Sequence, residues 1–298
     1  MKRRHVLFYP FLFSVGCAAV TGNAGIQSQT PALKSLDKLR FTVTDTGGIE
    51  ELQRDYDTFR IALEQTLEIP VEFFPVETYF DAAAALQSNA VDLVWAGPSE
   101  YVVIKARTNA ALLVELPRPE YYTVIWVRAD SGIQTLADLK GKTLDIRKNG
   151  STGSHLGAIK LLIDAGLNPQ TDINIIASGE YSAKSLDTGA ADAMALTPYR
   201  YRNVLDTLGS AEADYPVIAT GQPFPGDAFI ASSHLEAARQ IDIKSKMLAH
   251  QNQLIQAILS VDNLSFRFQG SKLVPANDTH YNVIRQVYEA IGQGDFIQ

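Results

Sequence analysis

Hydroxyl and glycine residues are concentrated in one stretch of the chain, residues 149–157 (NGSTGSHLG). The stretch follows a predicted strand over residues 141–146 and opens a predicted helix with one apolar face. A helix N-terminus has unpaired backbone N–H groups and the positive end of the helix dipole. Glycines let the backbone approach an oxyanion closely, and the hydroxyls of Ser151, Thr152 and Ser154 add donors. The stretch therefore indicates a candidate anion-binding loop.

The same stretch has a simpler interpretation as an ordinary helix cap. Ser and Thr are favoured N-cap residues, so the spacing alone leaves both interpretations open. The loop is not a nucleotide-binding P-loop, because no Gly-Lys-Ser/Thr follows the glycines. His155, one residue after the serines, could donate to the same anion or lie exposed at the start of the helix.

Composition describes a globular, acidic chain. It has 298 residues, of which 46% are hydrophobic and 20% charged, enough to bury the core of two domains or of one large domain. The net charge of −7 argues against a nucleic-acid partner. It does not exclude an anionic ligand, which responds to the local field of a pocket.

The N-terminus predicts export. Residues 1–24 resemble a leader, with basic residues at 2–4 and an apolar run at 6–15 that is too short to span a bilayer. Cys17, the only cysteine, lies in a context similar to a bacterial lipobox, although Ser14 stands where Leu, Val or Ile is usual. We predict a periplasmic or outer-face protein that is lipidated at Cys17, with ordinary cleavage near residue 24 as the alternative. Residues 25–37 form a polar tether.

From residue 38 onward, strand and helix patterns alternate, and the part after residue 233 is mostly helical. Alternation of this kind predicts an α/β protein with ligand sites at the carboxyl ends of strands. Turns rich in glycine or hydroxyl groups stand at four such ends, in residues 46–48, 97–99, 149–154 and 178–180. They could meet in one cleft, which the periodicity does not decide.

Five short segments carry a family resemblance. In chain order they are residues 92–101 (DLVWAGPSEY), 121–124 (YYTV), 136–142 (LADLKGK), 151–156 (STGSHL) and 223–227 (PFPGD). Together they resemble the phosphate/phosphite/phosphonate-binding proteins of ABC importers.

The resemblance implies a type II periplasmic-binding-protein fold. Its two lobes would contain mixed, mostly parallel sheets flanked by helices, joined by hinge crossings near Thr123 and Gln222. Lobe 1 would comprise residues 38–123 and 224–298, and lobe 2 residues 124–223. The ligand would lie between the lobes and close them.

The resemblance also implies ligand-binding residues. Hydroxyls of the serine loop would hold a phosphonyl group, two tyrosines would donate to it, and one acid would meet the ammonium of an aminoalkylphosphonate. These residues are Ser151, Thr152, Ser154, Tyr79, Tyr122 and Asp227. Taken alone, the tyrosines could equally be packing residues, and the acid a turn residue.

Two departures from the family pattern affect the predicted ligand. Glu180 stands where the family often has a histidine, and a desolvated, unpaired carboxylate beside a phosphonate is strongly unfavourable. Glu180 therefore turns away, faces a cationic part of the ligand, or indicates another ligand. Arg200 or Arg202 could supply the missing positive charge, or lie on a solvated helix face.

The predicted function is capture of phosphonate, phosphite or a related small oxyanion for an ABC importer. Its partners would be the permease and ATPase subunits. The protein would be a monomer that contacts the membrane only through a lipid anchor and has no nucleic-acid partner, cofactor, metal site or catalytic residues. Alternatives are another type II ligand (a sulfonate, a thiamine precursor or an organic acid) and a ligand-presenting sensor. Against an enzyme, the sequence has no Gly-x-Ser-x-Gly elbow, no metal-ligand histidine spacing and no cysteine after the leader.

Overall fold

Two mixed β-sheets, each with helices packed on both faces, make up the fold. The computed structural model describes residues 36–44, 46–179 and 182–298, without the side chains of residues 79 and 80. The predicted leader with Cys17, most of the predicted tether, and Glu180 lie outside the described residues.

Strands of both sheets are short, and most are buried. They are β1 (Leu39–Val43), β2 (Val71–Phe73), β3 (Leu93–Ala96), β4 (Ala111–Leu116), β5 (Val124–Val127), β6 (Thr143–Ile146), β7 (Asn174–Ala177), β8 (Ala193–Leu196), β9 (Val217–Thr220), β10 (Asp227–Ala231) and β11 (Val274–Pro275). The first sheet has the order β11-β4-β10-β3-β1-β2, and the second has the order β7-β6-β8-β5-β9.

Both sheets mix parallel and antiparallel pairs. In the described residues, β1, β2 and β3 pair in parallel, as do β6, β7 and β8. The other five pairings, which involve β4, β5, β9, β10 and β11, are antiparallel. The mixture is confirmed, but the parallel share is smaller than predicted. The reason is that β10 in the first sheet runs antiparallel to both of its neighbours, β3 and β4. In the same way, β5 in the second sheet runs antiparallel to β8 and β9.

Helices follow most strands. They are α1 (Ile49–Leu67), α2 (Tyr79–Gln87), α3 (Pro98–Arg107), α4 (Gly157–Asp164), α5 (Lys184–Asp187), α6 (Pro198–Leu208), α7 (Ala237–Ala249), α8 (Gln251–Leu259), α9 (Asp262–Phe268) and α10 (Asn282–Ala290). Short 3-10 turns lie at Ala129–Ser131, Leu136–Leu139, Asp278–Tyr281 and Gly294–Ile297. None of the helices in the described residues has the length and apolar content needed to cross a membrane.

Local sequence explains several helix starts. Thr78 and Asp81 form a reciprocal capping box at α2, where Thr78 Oγ1 accepts from Asp81 N at 3.2 Å and Asp81 Oδ2 accepts from Thr78 N at 2.9 Å. Pro98 and Pro198 occupy the first turns of α3 and α6, where the missing N–H costs nothing.

Trp95 lies at the centre of the first sheet's larger core. Its ring contacts Tyr56, Phe59, Phe229 and Phe268 at centroid distances of 5.0–5.5 Å. The indole is 2% exposed. This aromatic cluster ties α1, α9 and β10 to β3.

The chain passes from the first sheet to the second between β4 and β5, and it returns between β9 and β10. Gly221 N donates to Thr123 O at 2.8 Å, and Phe224 N donates to Tyr121 O at 2.8 Å. The two crossing segments therefore run side by side. They contain both predicted hinge positions, Thr123 and Gln222.

Candidate functional site

The helix that follows β6 begins with a π-helical turn rather than with an α-helical one. Residues Thr152–Leu156 form one π-helical turn that continues into α4. His155 N and Leu156 N both donate to Ser151 O at 3.0 Å. The Ser151 hydroxyl makes no capping hydrogen bond. A wider turn of this kind is often found at functional sites, and here it replaces the ordinary Ser cap.

Three consecutive backbone amides of the π-turn are available as donors. The N–H groups of Thr152, Gly153 and Ser154 donate to no backbone or side-chain acceptor within the described residues. This is expected at the start of a helical turn, where the first N–H groups have no carbonyl behind them. The three residues line a concave surface, so the turn can hold the oxygens of an anion.

Hydroxyl groups of the loop differ in their surroundings. Ser154 is 4% exposed, and its Oγ has no hydrogen-bond partner among the described residues. Thr152 Oγ1, by contrast, accepts from Ser99 N at 3.1 Å and donates to Ser99 Oγ at 2.9 Å. Ser154 is thus the loop hydroxyl whose hydrogen-bonding capacity is buried and unused.

A close packing contact explains why residue 153 is glycine. A Cβ on Gly153 would lie 2.4 Å from Thr197 Cγ2 and 3.5 Å from Tyr121 Cε2. Thr197 follows β8, and Tyr121 lies in the first crossing segment. The absence of a side chain therefore brings the π-turn amides against Thr197, whose buried Oγ1 also has no partner among the described residues.

The π-turn lines a small cavity between the two sheets. Its volume of about 60 Å³ is several times the 10–15 Å³ that one water molecule needs. The lining residues are Gly97, Glu100, Arg118, Tyr121, Arg147, Lys148, Asn149, Gly150, Ser151, Thr152, Gly153, Ser154, Thr197, Tyr199, Arg200 and Arg267. Five of these residues are cationic and one is acidic, so the lining favours a negatively charged ligand.

The Arg118 side chain is one of the buried cations of the cavity lining. It ion-pairs with Asp227, and the exposed fractions of the two side chains are 7% and 2%. The guanidinium lies 4.5 Å from the centroid of the Tyr121 ring and 5.3 Å from that of Phe268. Burial by itself lowers the pKa of Arg118, but the charge and hydrogen bond of Asp227, together with the Tyr121 and Tyr199 phenols, raise the pKa well above its usual value, so the group stays cationic.

Positive charge also surrounds Tyr199. Burial raises the pKa of this phenol, but the nearby Arg118 and Arg267 guanidinium groups outweigh burial and leave the pKa below its usual value. Arg200 contributes in the same direction and stacks over the Phe266 ring at 4.7 Å. The end of the cavity near Tyr199 is therefore electropositive.

Comparison with known families identifies the chain. Residues 41–281 match the profile of a family described as the periplasmic substrate-binding protein of the phosphonate ABC transporter. The chain belongs to this phosphonate-binding family. Membership gives it a transport role, a small-molecule ligand, ABC transporter partners and a periplasmic location.

Solved structures share the fold of this phosphonate-binding family member. PhnD1 from Prochlorococcus marinus, in complex with methylphosphonate, matches with a TM-score of 0.68 and 19% identity over 86% of this chain and 99% of that one. A Xanthomonas citri protein bound to ATP gives 0.70 and 15% over 88% and 100%. The periplasmic aliphatic sulphonate binding protein SsuA from Escherichia coli gives 0.57 and 17% over 88% and 89%. These likenesses confirm the predicted type II periplasmic-binding-protein fold.

Several residues predicted from the sequence come together in this phosphonate-binding family member. Ser151, Thr152, Ser154 and Arg200 all line the cavity. Arg202, the alternative to Arg200, instead ion-pairs with Glu120 away from the lining residues. The role of the four lining residues as ligand contacts stays a prediction.

Tyr122 and His155 do not line the cavity. Successive residues of an extended segment point to opposite sides, so Tyr121 faces the cavity while Tyr122 packs against the apolar cluster around Trp126. His155 Nδ1 accepts from Gly150 N at 3.0 Å, so the ring braces its own loop. Burial lowers the pKa of His155, which is consistent with a neutral acceptor.

Asp227 lies behind the lining, where Arg118 covers it. Its Oδ2 accepts from Trp95 Nε1 at 2.8 Å, and its Oδ1 is paired with Arg118. An ammonium group would have to displace this guanidinium to reach the acid. The predicted ammonium contact is therefore not favoured by the geometry. The Tyr79 side chain and Glu180 lie outside what the structure describes, so their predicted contacts stay predictions.

Sequence reasoning did not single out eight residues of the lining as site residues. They are Glu100, Arg118, Tyr121, Arg147, Lys148, Thr197, Tyr199 and Arg267. Thr197 directly follows β8, and Arg118 lies two residues after β4. Ligand sites of α/β folds often lie at the carboxyl ends of strands, so these positions could have indicated a site. Arg267 comes from α9, far along the chain, and no local pattern marks it.

Proposed function

We propose that this chain captures a phosphonate, phosphite or related small phosphorus oxyanion for an ABC importer and performs no catalysis. The ligand's oxygens would accept from the backbone N–H groups of Thr152, Gly153 and Ser154 and from the Ser154 hydroxyl. The observation that carries this proposal is the juxtaposition of three free amides with a buried, unpartnered hydroxyl in an arginine-lined cavity.

Burial of these donors favours the proposal. A buried hydroxyl without a partner costs free energy, and a bound anion would satisfy it. The amides, Ser154 Oγ and Thr197 Oγ1 present donors from several sides, as a tetrahedral oxyanion requires. The surrounding guanidinium groups would offset the ligand's charge without contacting every oxygen.

We further propose that binding closes two lobes. Residues 38–123 with 224–298 would form one lobe and residues 124–223 the other, with the crossings at Thr123 and Gln222 as hinges. The hydrogen bonds that pair the two crossing segments keep them together, which suits rotation of one sheet against the other. We propose that the protein acts as a monomer.

Membrane attachment is a separate proposal. The leader would be cut immediately before Cys17, the cysteine would be lipidated, and the residues that follow it, including the tether at 25–37, would link the binding unit to the membrane. Labelling with radioactive palmitate in a bacterial host tests this, with a Cys17→Ser variant as the control. Equal labelling of the two proteins would contradict lipidation at this residue.

Titration calorimetry of the purified chain tests the ligand class. Phosphate, phosphite, methylphosphonate and 2-aminoethylphosphonate are compared with sulfate and taurine, which represent the sulfur alternative. A ligand at 100 times its Kd adds about 2.7 kcal/mol of stability, so a thermal-shift assay gives an independent readout. The proposal fails if a sulfur compound binds and no phosphorus oxyanion does.

Ser154→Ala tests the loop. Loss of a hydrogen bond to a charged ligand is expected to weaken methylphosphonate binding by about 1.5–3 kcal/mol. The matched control is Ser260→Ala, which removes an exposed hydroxyl that donates to Ala257 O at 2.8 Å and is not part of the cavity lining. If both variants bind with wild-type affinity, Ser154 is not a ligand contact.

A further inference from the structure

Arg118 has a buried donor that its known partners leave unused. Its Nε–H has no acceptor among the described residues. The side chain is only 7% exposed, so bulk water does not supply one. One terminal nitrogen pairs with Asp227, and the other is 3.5 Å from the Tyr199 hydroxyl, at the limit of a hydrogen bond. A buried guanidinium with an unmet N–H indicates that a further acceptor belongs beside it.

Asp227 cannot act as that acceptor. Both of its oxygens are engaged, one by Trp95 Nε1 and the other by a terminal nitrogen of Arg118. The pair is held in a wall of aromatic rings, with Tyr121 and Phe268 on the guanidinium. The acid is thus neutralised, while Arg118 remains part of the cavity lining.

The ring of Tyr121 lies next to both Arg118 and the π-turn. Tyr121 lies in contact range of the position of a Gly153 Cβ, at 3.5 Å, and the Arg118 guanidinium lies 4.5 Å from the centroid of the same ring. The π-turn and the Arg118 guanidinium therefore both lie against the same phenol ring. A ligand of a few atoms can reach both.

Further cations lie at the Arg118 end of the cavity. Arg200 and Arg267 line it and act together with Arg118 on the pKa of Tyr199. Of the described residues in the lining, Glu100 is the sole acid, and its Oε2 already accepts from Ser99 Oγ at 2.9 Å. This end therefore suits a second negative group and opposes an ammonium group.

We propose that the ligand carries two anionic groups, a phosphonyl group held by the π-turn and a carboxylate or second acidic group held by Arg118. This inference rests on the proposed function, and it names the substrate class as phosphonocarboxylates and similar dianionic phosphorus compounds. Arg118 is then a specificity-determining residue, because it pairs with Asp227 and so covers this acid, and because it presents a guanidinium to the ligand.

Calorimetry with the full chain separates this inference from the proposed function. The probes are methylphosphonate, phosphonoacetate and 2-aminoethylphosphonate, which share the phosphonyl group and differ in the second group. We expect phosphonoacetate to bind at least about tenfold more tightly than methylphosphonate, and 2-aminoethylphosphonate to bind most weakly. If methylphosphonate binds as tightly as phosphonoacetate, the second anionic site is wrong and the phosphonyl site stands. If none of the three binds, and phosphate and phosphite do not bind either, the proposed function fails as well.

Variants locate the second group. The double variant Arg118→Gln with Asp227→Asn avoids leaving a lone buried charge, and Asn can still accept from Trp95. We expect it to bring the ratio of the two Kd values, methylphosphonate over phosphonoacetate, close to one. An unchanged ratio overturns the role of Arg118.

Arg200→Gln gives a second measurement that does not disturb the buried pair. It is expected to lower the same ratio several-fold. The matched control is Arg202→Gln on the same helix, whose arginine pairs with Glu120 outside the lining, and which should keep the wild-type ratio. If Arg200→Gln and Arg202→Gln behave alike, the arginine cluster does not select the second group.

Discussion

Thr152 and Ser99 are joined by two hydrogen bonds, one of 3.1 Å from Ser99 N to Thr152 Oγ1 and one of 2.9 Å from Thr152 Oγ1 to Ser99 Oγ. Thr152 belongs to the π-turn after β6 of the second sheet, and Ser99 belongs to α3, which follows β3 of the first sheet. Both residues are buried, with exposed fractions of 3% and 1%. The pair is a direct polar link between the two halves of the molecule beside the cavity.

Ser99→Ala removes the acceptor of that link. We expect the free energy of unfolding to fall by about 1 kcal/mol, because Thr152 loses the acceptor of one buried hydrogen bond. If the proposed closure places this link in the closed arrangement, its loss should lower the affinity for methylphosphonate by up to about fivefold, because that arrangement becomes less populated. Urea denaturation and calorimetry measure the two effects, and Ser260→Ala serves as the control. Wild-type values in both assays would show that the link does not favour closure.

Thr197→Val tests the second unused hydroxyl of the cavity. Replacing a buried, unpartnered hydroxyl with a methyl group should leave the free energy of unfolding unchanged or raise it. Affinity for the phosphorus oxyanion should nevertheless fall, by about tenfold or more, because a donor to a charged ligand is lost.

Thr66→Val is the matched control for this change. Thr66 Oγ1 is also buried without a partner in the described part of the chain, but it lies on α1, outside the cavity lining. We expect similar stability and unchanged affinity. Equal affinities of the two variants would mean that the Thr197 hydroxyl does not contact the ligand.

Gly153→Ala tests the close approach of the π-turn to Thr197. The new Cβ would come within 2.4 Å of Thr197 Cγ2, so the turn must move or the protein must accept strain of about 1–3 kcal/mol. Both stability and ligand affinity should decrease. Thr197→Ser removes the obstructing methyl group, so adding it should restore part of the stability of Gly153→Ala. A double-mutant cycle without coupling would contradict the contact.

The pH dependence of stability tests the state of His155. Burial lowers the pKa of His155 in the folded protein, so the unfolded chain binds its proton more readily. Its contribution to stability is full above the ordinary histidine pKa of about 6.5 and is lost as the pH falls below that value. His155→Asn can keep an acceptor for Gly150 N and does not titrate. Between about pH 7.5 and 5.5 its urea midpoint should therefore fall less than that of the wild type. Parallel curves would show that His155 does not contribute.

Local sequence determined the parts of the fold and site that depend on neighbours in the chain. The hydroxyl and glycine stretch at residues 149–157 predicted donors after a strand. The start of α2 likewise depends on two near neighbours, Thr78 and Asp81. Motifs in family order predicted the fold class, which the comparisons confirm. Such features follow from capping, turn chemistry and periodicity, all of which act within a few residues.

Tertiary structure alone decided which side chains meet at the cavity. Arg118 pairs with Asp227 because β4 and β10 are antiparallel neighbours, with Asp227 opposite Leu116. Arg267 reaches the same cavity from α9 because Phe268 packs on Trp95. Tyr121 rather than Tyr122 faces inward because of the orientation of one crossing segment. The sequence therefore determined the hydroxyl and glycine loop, while long-range packing determined the charges that surround it, because these residues are distant in the chain and no local spacing relates them.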